Sequence, residues 1–367
     1  MAKNVYVPRE TREHERRVAC VPDTVTKLTG AGLRVTVEKG AGLAAGYPDA
    51  DYEAAGAALA DRGAMATADV VLAVQPLPVE DAGTLADGCI VMSFLQPAAE
   101  TELVEVFRTR KVSAFSLDRL PRISRAQSMD ALSSQALVAG YRAALIAAEK
   151  LPRFFPLLMT AAGTVPPAKV LVLGAGVAGL QSIATARRLG AVVSAYDVRT
   201  AAAEEVKSLG AKFIELELEA LEGAGGYARE MTEERAARQR ELLTPHLAAS
   251  DAVITTAAVP GRRAPLLVDT AMVEAMRPGT VVVDIAADSG GNVELSRPGE
   301  EVLHNGVLIW GGRNVPSGMP YDASRLYARN LANLLLLMTK DGDVAPDLDD
   351  EVVAGCLVVH AGEVRIS

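Results

Sequence analysis

In the first third of the chain, short apolar runs alternate with longer stretches of helical spacing. Asn4–Val7, Leu33–Val37, Val70–Val74, Ile90–Phe94 and Val112–Ser116 read as strands. Thr24–Thr29, Tyr52–Ala60 and Glu100–Arg110 read as helices between them. That alternation implies a parallel sheet. An alanine-rich run then predicts a long helix from about Met129 to Glu149. Residues 151–167 carry four prolines and read as loop. The alternation resumes at Lys169, with later strands expected at Lys212–Glu215, Ala252–Thr255, Val281–Asp284 and Val307–Trp310. Arg325–Thr339 reads as a further helix, followed by an acidic tail, Asp341–Glu351, with the chain returning to its first domain.

The run Lys169-Val-Leu-Val-Leu-Gly-Ala-Gly-Val-Ala-Gly-Leu-Gln181 joins a buried strand to a glycine turn and a helix, Val177–Leu189. Gly174 lets the backbone turn sharply. Gly176 leaves room for a pyrophosphate to approach the main chain. Gly179 lets the helix pack closely on the strand. Free N–H groups at the helix start, including those near Ala175 and Val177, then face the phosphates. The same turn without a ligand is the plainer alternative. Asp197 ends the next apolar run, about 20 residues on, where an acid accepts hydrogen bonds from an adenosine ribose. Its charge repels a 2′-phosphate, so the site is expected to prefer NAD over NADP. Val198 is counted with it among the nucleotide-contacting positions. Arg199 can be read the other way, or as an exposed charge. The expected fold class is α/β: two Rossmann-like doubly wound domains joined by long helices, with a nucleotide cleft between them. Residues 1–128 with 318–367 form one expected domain and 129–317 the other.

Composition narrows the partners. The 367 residues are 50% hydrophobic, enough for two cores, and the net charge of −9 without a basic stripe argues against nucleic acid. Cys20, Cys89 and Cys356 stand far apart, so neither a disulfide framework nor a metal site is expected. The opening residues read as a strand and not a signal peptide. Leu331–Met338 comes nearest to a membrane span and is well short of the roughly 18 residues needed. Gly223-Ala-Gly-Gly-Tyr227 reads either as a plain surface loop or as a lid over bound nucleotide.

Several motifs together carry a family likeness. Pro121-Arg-Ile-Ser-Arg-Ala-Gln-Ser-Met-Asp-Ala-Leu-Ser-Ser-Gln135 resembles the signature of the NAD(H)-binding component, domain I, of proton-translocating NAD(P) transhydrogenases. The glycine turn, Gly226-Tyr-Ala-Arg-Glu-Met231, Val7-Pro-Arg-Glu-Thr11, Glu15-Arg-Arg-Val-Ala19 and Pro316-Ser-Gly-Met-Pro-Tyr-Asp-Ala-Ser324 fit as well. The resemblance covers essentially the whole chain. It implies a homodimeric, soluble subunit that binds NADH on the cytoplasmic face of the membrane. It also implies partners: an NADP(H)-binding domain III that receives the hydride, and a membrane domain II. Arg122, Gln127, Asp130 and Ser133 match the family's nicotinamide cluster, and Tyr227 matches the tyrosine of its mobile loop. On the residues alone, Asp130 reads as a helix N-cap and Arg122 as a solvated charge, and only the family match points to the nucleotide.

The same fold resembles alanine dehydrogenase, which uses a lysine and a histidine to handle pyruvate. The matching positions here are Gln75 and Gln96, and neither amide is an acid or base near neutral pH. Arg17 is retained. His14, His246, His304 and His360 sit in no catalytic pattern. Hydride transfer between two nicotinamides needs no side-chain proton, only rings held roughly 3–3.5 Å apart with water excluded. A stand-alone amino-acid dehydrogenase and a non-catalytic NADH sensor remain the alternatives.

Overall fold

The computed structural model describes residues 2–217, 232–259 and 261–365. The chain folds as two compact units, Met1–Gln135 with Pro316–Ser367, and Ala136–Val315. It passes from one to the other inside the helix Ala131–Lys150 and returns just ahead of the helix Pro320–Leu337.

The strands, in chain order, start with β1 (Asn4–Val7), β2 (Arg34–Glu38), β3 (Ala58–Ala60), β4 (Val70–Leu72), β5 (Ile90–Ser93) and β6 (Ser113–Ser116). A hairpin follows, β7 (Leu158–Thr160) and β8 (Gly163–Val165). Then come β9 (Lys169–Leu173), β10 (Val192–Tyr196), β11 (Lys212–Phe213), β12 (Ala252–Thr255), β13 (Val281–Asp284), β14 (Glu301–His304) and β15 (Val307–Gly311). A second hairpin, β16 (Thr339–Lys340) and β17 (Asp343–Val344), precedes β18 (Leu357–His360) and β19 (Glu363–Val364).

In the first unit the sheet order is β19-β18-β6-β5-β4-β1-β2-β3. Pairing is parallel from β6 to β3, and β18 and β19 add antiparallel strands at one edge. In the second unit the order is β11-β10-β9-β12-β13-β15-β14, parallel except for β14. Both sheets are covered on both faces. Val5 and Val7 point into one core and Tyr6 into another; Val170 and Val172 likewise part from Leu171 and Leu173. Strands buried on both sides read as near-continuous apolar runs, which is why these were visible in the sequence.

In each sheet the winding reverses between two neighbouring parallel strands, β1 and β4 in one, β9 and β12 in the other. The crevice beyond the carboxyl ends of such strands is where open α/β sheets bind ligands.

Four expectations need correction. Tyr52–Ala60 is not one helix. The helix spans Asp49–Ala54 and β3 pairs with β2 from Thr36↔Ala58 to Glu38↔Ala60. Gly56, at φ +95°, ends the helix, and the ladder with β2 overrides the helix preference of the alanines beyond it. Residues 151–167 contain the antiparallel hairpin β7–β8. The helix expected at Arg325 starts at Pro320, where proline fits the first turn. The acidic stretch is no tail: Asp350 accepts from the N–H groups of Val352 and Val353, capping the helix Glu351–Cys356 that feeds β18.

Candidate dinucleotide site

The glycine turn leaves the carboxyl end of β9 at the point where the second sheet reverses its winding. Gly174 sits at φ +97°, a conformation that favours glycine. Its N–H donates to the Tyr196 carbonyl at 2.8 Å. A Cβ on Gly179 would lie 1.9 Å from the Gly174 oxygen, so the helix can start here only without a side chain. Gly176 differs from both. It caps the helix Val177–Arg188 at φ −76°, and a Cβ there would meet nothing within 4 Å. Neither backbone nor packing requires its glycine.

Three residues that the sequence pattern did not single out brace this turn from neighbouring strands. Thr256 donates its hydroxyl to the Gly174 oxygen at 3.1 Å and its N–H to Leu173 at 2.9 Å. Asn292, fully buried, accepts from the Ala257 N–H at 3.0 Å and donates to the carbonyls of Ala257 and Pro265, each at 2.8 Å. Asp284, at the end of β13, accepts from the N–H groups of Ala286 (3.0 Å), Asn292 (3.0 Å) and Val293 (3.2 Å) and from the Thr255 hydroxyl (3.0 Å). Burial pushes its carboxyl up, against those hydrogen bonds. The sequence signal was a lone acid ending an apolar strand, with nothing to show that it faced inward.

Asp197 follows β10 directly. Its carboxylate accepts from the Ala175 N–H at 2.7 Å and the Arg199 N–H at 2.8 Å. Arg199 adds its Nε and Nη2, each at 2.9 Å, so it is an ion-pair partner and not an idle exposed charge. Val198, half-buried, packs against the core that holds Leu171, Leu173 and Tyr196.

Arg122, Gln127, Asp130 and Ser133 lie in the first unit, on the segment after β6. Arg122 and Gln127 are exposed. Asp130 accepts from the Ser133 N–H at 2.9 Å and hydroxyl at 2.5 Å, capping the helix Ala131–Lys150. The cap and any ligand role share one carboxylate. Tyr227 and its glycine-rich loop lie outside the described residues.

Comparison with known proteins bears on this arrangement. The family description "Alanine dehydrogenase/PNT, N-terminal domain" matches residues 6–139, and "Alanine dehydrogenase/PNT, C-terminal domain" matches residues 143–367. The chain belongs to the alanine dehydrogenase/PNT family. The first of the separate pieces of NAD(P) transhydrogenase subunit alpha in Rhodospirillum rubrum is 48% identical over 372 residues, spanning 98% of this chain and 97% of that one. Alanine dehydrogenase of Bacillus subtilis is 31% identical over 330 residues, 86% of this chain and 80% of that one. A transhydrogenase structure from Sinorhizobium meliloti aligns at TM-score 0.91 with 44% identity, covering 99% of this chain and 100% of that one. An L-alanine dehydrogenase structure aligns at 0.79 with 27% identity, covering 98% and 96%. On both measures the chain is more similar to these transhydrogenases than to these alanine dehydrogenases.

Gln75 and Gln96, which the sequence matches to the carbonyl-handling positions of alanine dehydrogenase, lie in the first unit. Gln75 donates its amide to Glu15 Oε2 at 2.8 Å. Glu15 also takes Arg17 Nε (2.8 Å) and Nη2 (2.7 Å), while Arg17 Nη1 reaches Gln135 at 2.8 Å. Burial pushes the Glu15 carboxyl up, but Arg17 and Gln75 outweigh it and hold it down at about 2. Glu10 accepts from the N–H groups of Val74 and Gln75, and burial raises its carboxyl to about 8. Gln96 is exposed, in a turn at φ +47°. All three cysteines are buried, which pushes each thiol up to about 12.

The Glu15–Arg17 pair makes stability depend on acid. A carboxyl held below its ordinary value stabilises the fold above that value and loses the effect as pH falls through about 2. Glu15→Gln should cost about 3 kcal/mol near neutral pH, as expected for a broken buried pair. The difference from the parent should shrink between about pH 4.5 and 2, as urea titrations across that range would show. A difference that stays constant over the range would contradict it.

Proposed function

We propose that this chain is the separate NAD(H)-binding piece of the alpha subunit of a proton-translocating NAD(P) transhydrogenase. It binds NADH while a hydride passes to NADP⁺ held on a separate domain III. Membrane domain II subunits couple that transfer to proton movement. In this reading the chain works as a homodimer docked on the cytoplasmic face of the membrane. No described helix is long and apolar enough to cross one.

The observation that carries the nucleotide site is Gly176. A ligand-free βα turn accounts for Gly174 through its backbone and for Gly179 through its packing. It gives only the mild preference of a helix N-cap, and no strict reason, for a glycine at 176, where a side chain would have open space. A pyrophosphate lying against Gly174, Ala175, Gly176 and Val177, facing the helix N-terminus, gives one. Asp197, beside Val198, holds the adenosine ribose. Arg122 donates to the carboxamide oxygen of the nicotinamide, Gln127 serves a ribose hydroxyl, and Asp130 with Ser133 orients the ring. Tyr227 closes over the ligand. The functional division assigns 129–317 to NAD(H) and 1–128 with 318–367 to the other domain.

The hydride chemistry belongs to the dinucleotides themselves. The chain's own residues bind, orient and exclude water, which needs no acid–base pair. Gln75 and Gln96 agree with this, because neither amide can shuttle a proton to a carbonyl substrate.

Two measurements test the reading. Purified chain mixed with NADP(H)-loaded domain III should transfer hydride to an NAD analogue, and alone it should not turn over pyruvate, ammonia and NADH. Significant alanine dehydrogenase turnover would sink the transhydrogenase assignment, and no exchange at saturating domain III would favour a sensor. The second compares two glycines. Gly176→Ala should cost no more than about 1 kcal/mol of stability, the scale of a changed cap. It should weaken NADH binding about tenfold, equivalent to about 1.4 kcal/mol. Gly179→Ala should lower the melting temperature itself, by overpacking at the Gly174 oxygen. Equal NADH affinity in Gly176→Ala and parent would remove the pyrophosphate from this turn.

A further inference from the structure

The ribose acid is already engaged. Asp197 Oδ1 accepts from Arg199 N–H and Nε, and Oδ2 from Ala175 N–H and Arg199 Nη2. A carboxylate offers about four lone-pair sites, so these four donors fill them. The Asp197 side chain is only 8% exposed and that of Arg199 23%. A ribose hydroxyl that donates to Asp197 must displace one of the donors. Two are backbone N–H groups, one in the glycine turn and one in the loop after β10, and their positions are set by the main chain. The Arg199 guanidinium is on rotatable bonds, and it is the group that yields.

We infer that Arg199 is a specificity-determining residue of the adenosine ribose site. It closes on Asp197 when the site is empty and swings aside for a 2′-hydroxyl. Without the Asp197 charge, its guanidinium binds a 2′-phosphate. The inference rests on the reading that Asp197 faces the ribose. The chemistry follows from charge. Beside Asp197 a 2′-phosphate meets a like charge, and the guanidinium that would offset it is drawn to the carboxylate. With a neutral residue at 197, the carboxylate no longer draws the planar fork of Arg199, and that fork matches a phosphate bidentately. Preference for NAD therefore belongs to the pair and not to the acid alone.

The test uses the full chain and measures NADH and NADPH dissociation constants by nucleotide fluorescence at one ionic strength. Asp197→Asn keeps the side-chain shape and an oxygen for Ala175. It should weaken NADH and tighten NADPH about tenfold, the scale of one charge-assisted hydrogen bond. Adding Arg199→Ala should abolish the NADPH gain and leave the NADH loss unchanged. Arg199→Ala alone should bind NADH at least as tightly as the parent, with no gain for NADPH. If the double variant keeps the NADPH gain, or Arg199→Ala alone loses NADH binding about tenfold, the role of Arg199 falls while the ribose assignment stands. If Asp197→Asn leaves both affinities unchanged, the ribose assignment itself fails. Asp197→Ser gives the same comparison should the asparagine variant not fold.

Discussion

The second unit is organised around one close approach. The helix Val177–Arg188 begins so near the end of β9 that Gly179 and the Gly174 carbonyl leave no room for a methyl group. A helix placed this close aims its first N–H groups across the strand end and not out into solvent. Everything nearby then serves to keep the crossing in register. Thr256 hydrogen-bonds the same Gly174 oxygen, Asn292 fixes the backbone beside Thr256, and Asp284 gathers the loop that carries Asn292. The chain of support runs from β9 across the reversal in the sheet to β12 and β13.

The two units share an architecture and divide the chemistry. Each has a mostly parallel sheet covered on both faces, and each gathers its polar side chains beyond the carboxyl ends of its central strands. In the second unit what gathers there is backbone N–H, small residues and two acids, Asp197 and Asp284. In the first it is a buried carboxylate–guanidinium pair with an amide beside it. Buried, mutually satisfied charges of this kind hold a loop in place, and removing either partner strands the other.

The sequence spoke clearly where structure is local. β1, β12 and β13 match the apolar runs residue for residue, because strands buried on both faces leave no polar interruption. The glycine turn and Asp197 were legible for a related reason: strand, turn, helix and acid follow one another within a single βαβ unit. Legibility ended where partners arrive from afar. Thr256 meets Gly174 across 82 residues, and no spacing rule links them. β3 is made of alanine and leucine and exists because β2 offers a ladder. β18 sits behind an acidic stretch that looks like a solvated tail until Asp350 caps a helix with it. Arg199 was visible, but whether it faced solvent or its neighbour depended on a side-chain geometry that composition does not contain.

The bond between Asp197 and Ala175 has a consequence for the sheet itself. β9 and β10 pair in parallel up to Leu173 and Tyr196. The next amide, Gly174, still finds a main-chain acceptor in Tyr196, and the one after it, Ala175, finds the Asp197 carboxylate instead. The side chain thus stands in for a carbonyl and lengthens the ladder by one rung just past the point where the strands diverge. Position 197 therefore answers to two demands. A residue chosen there only for the nucleotide it favours must also supply an oxygen to the turn, or the last rung opens and the glycine turn loses an anchor on β10.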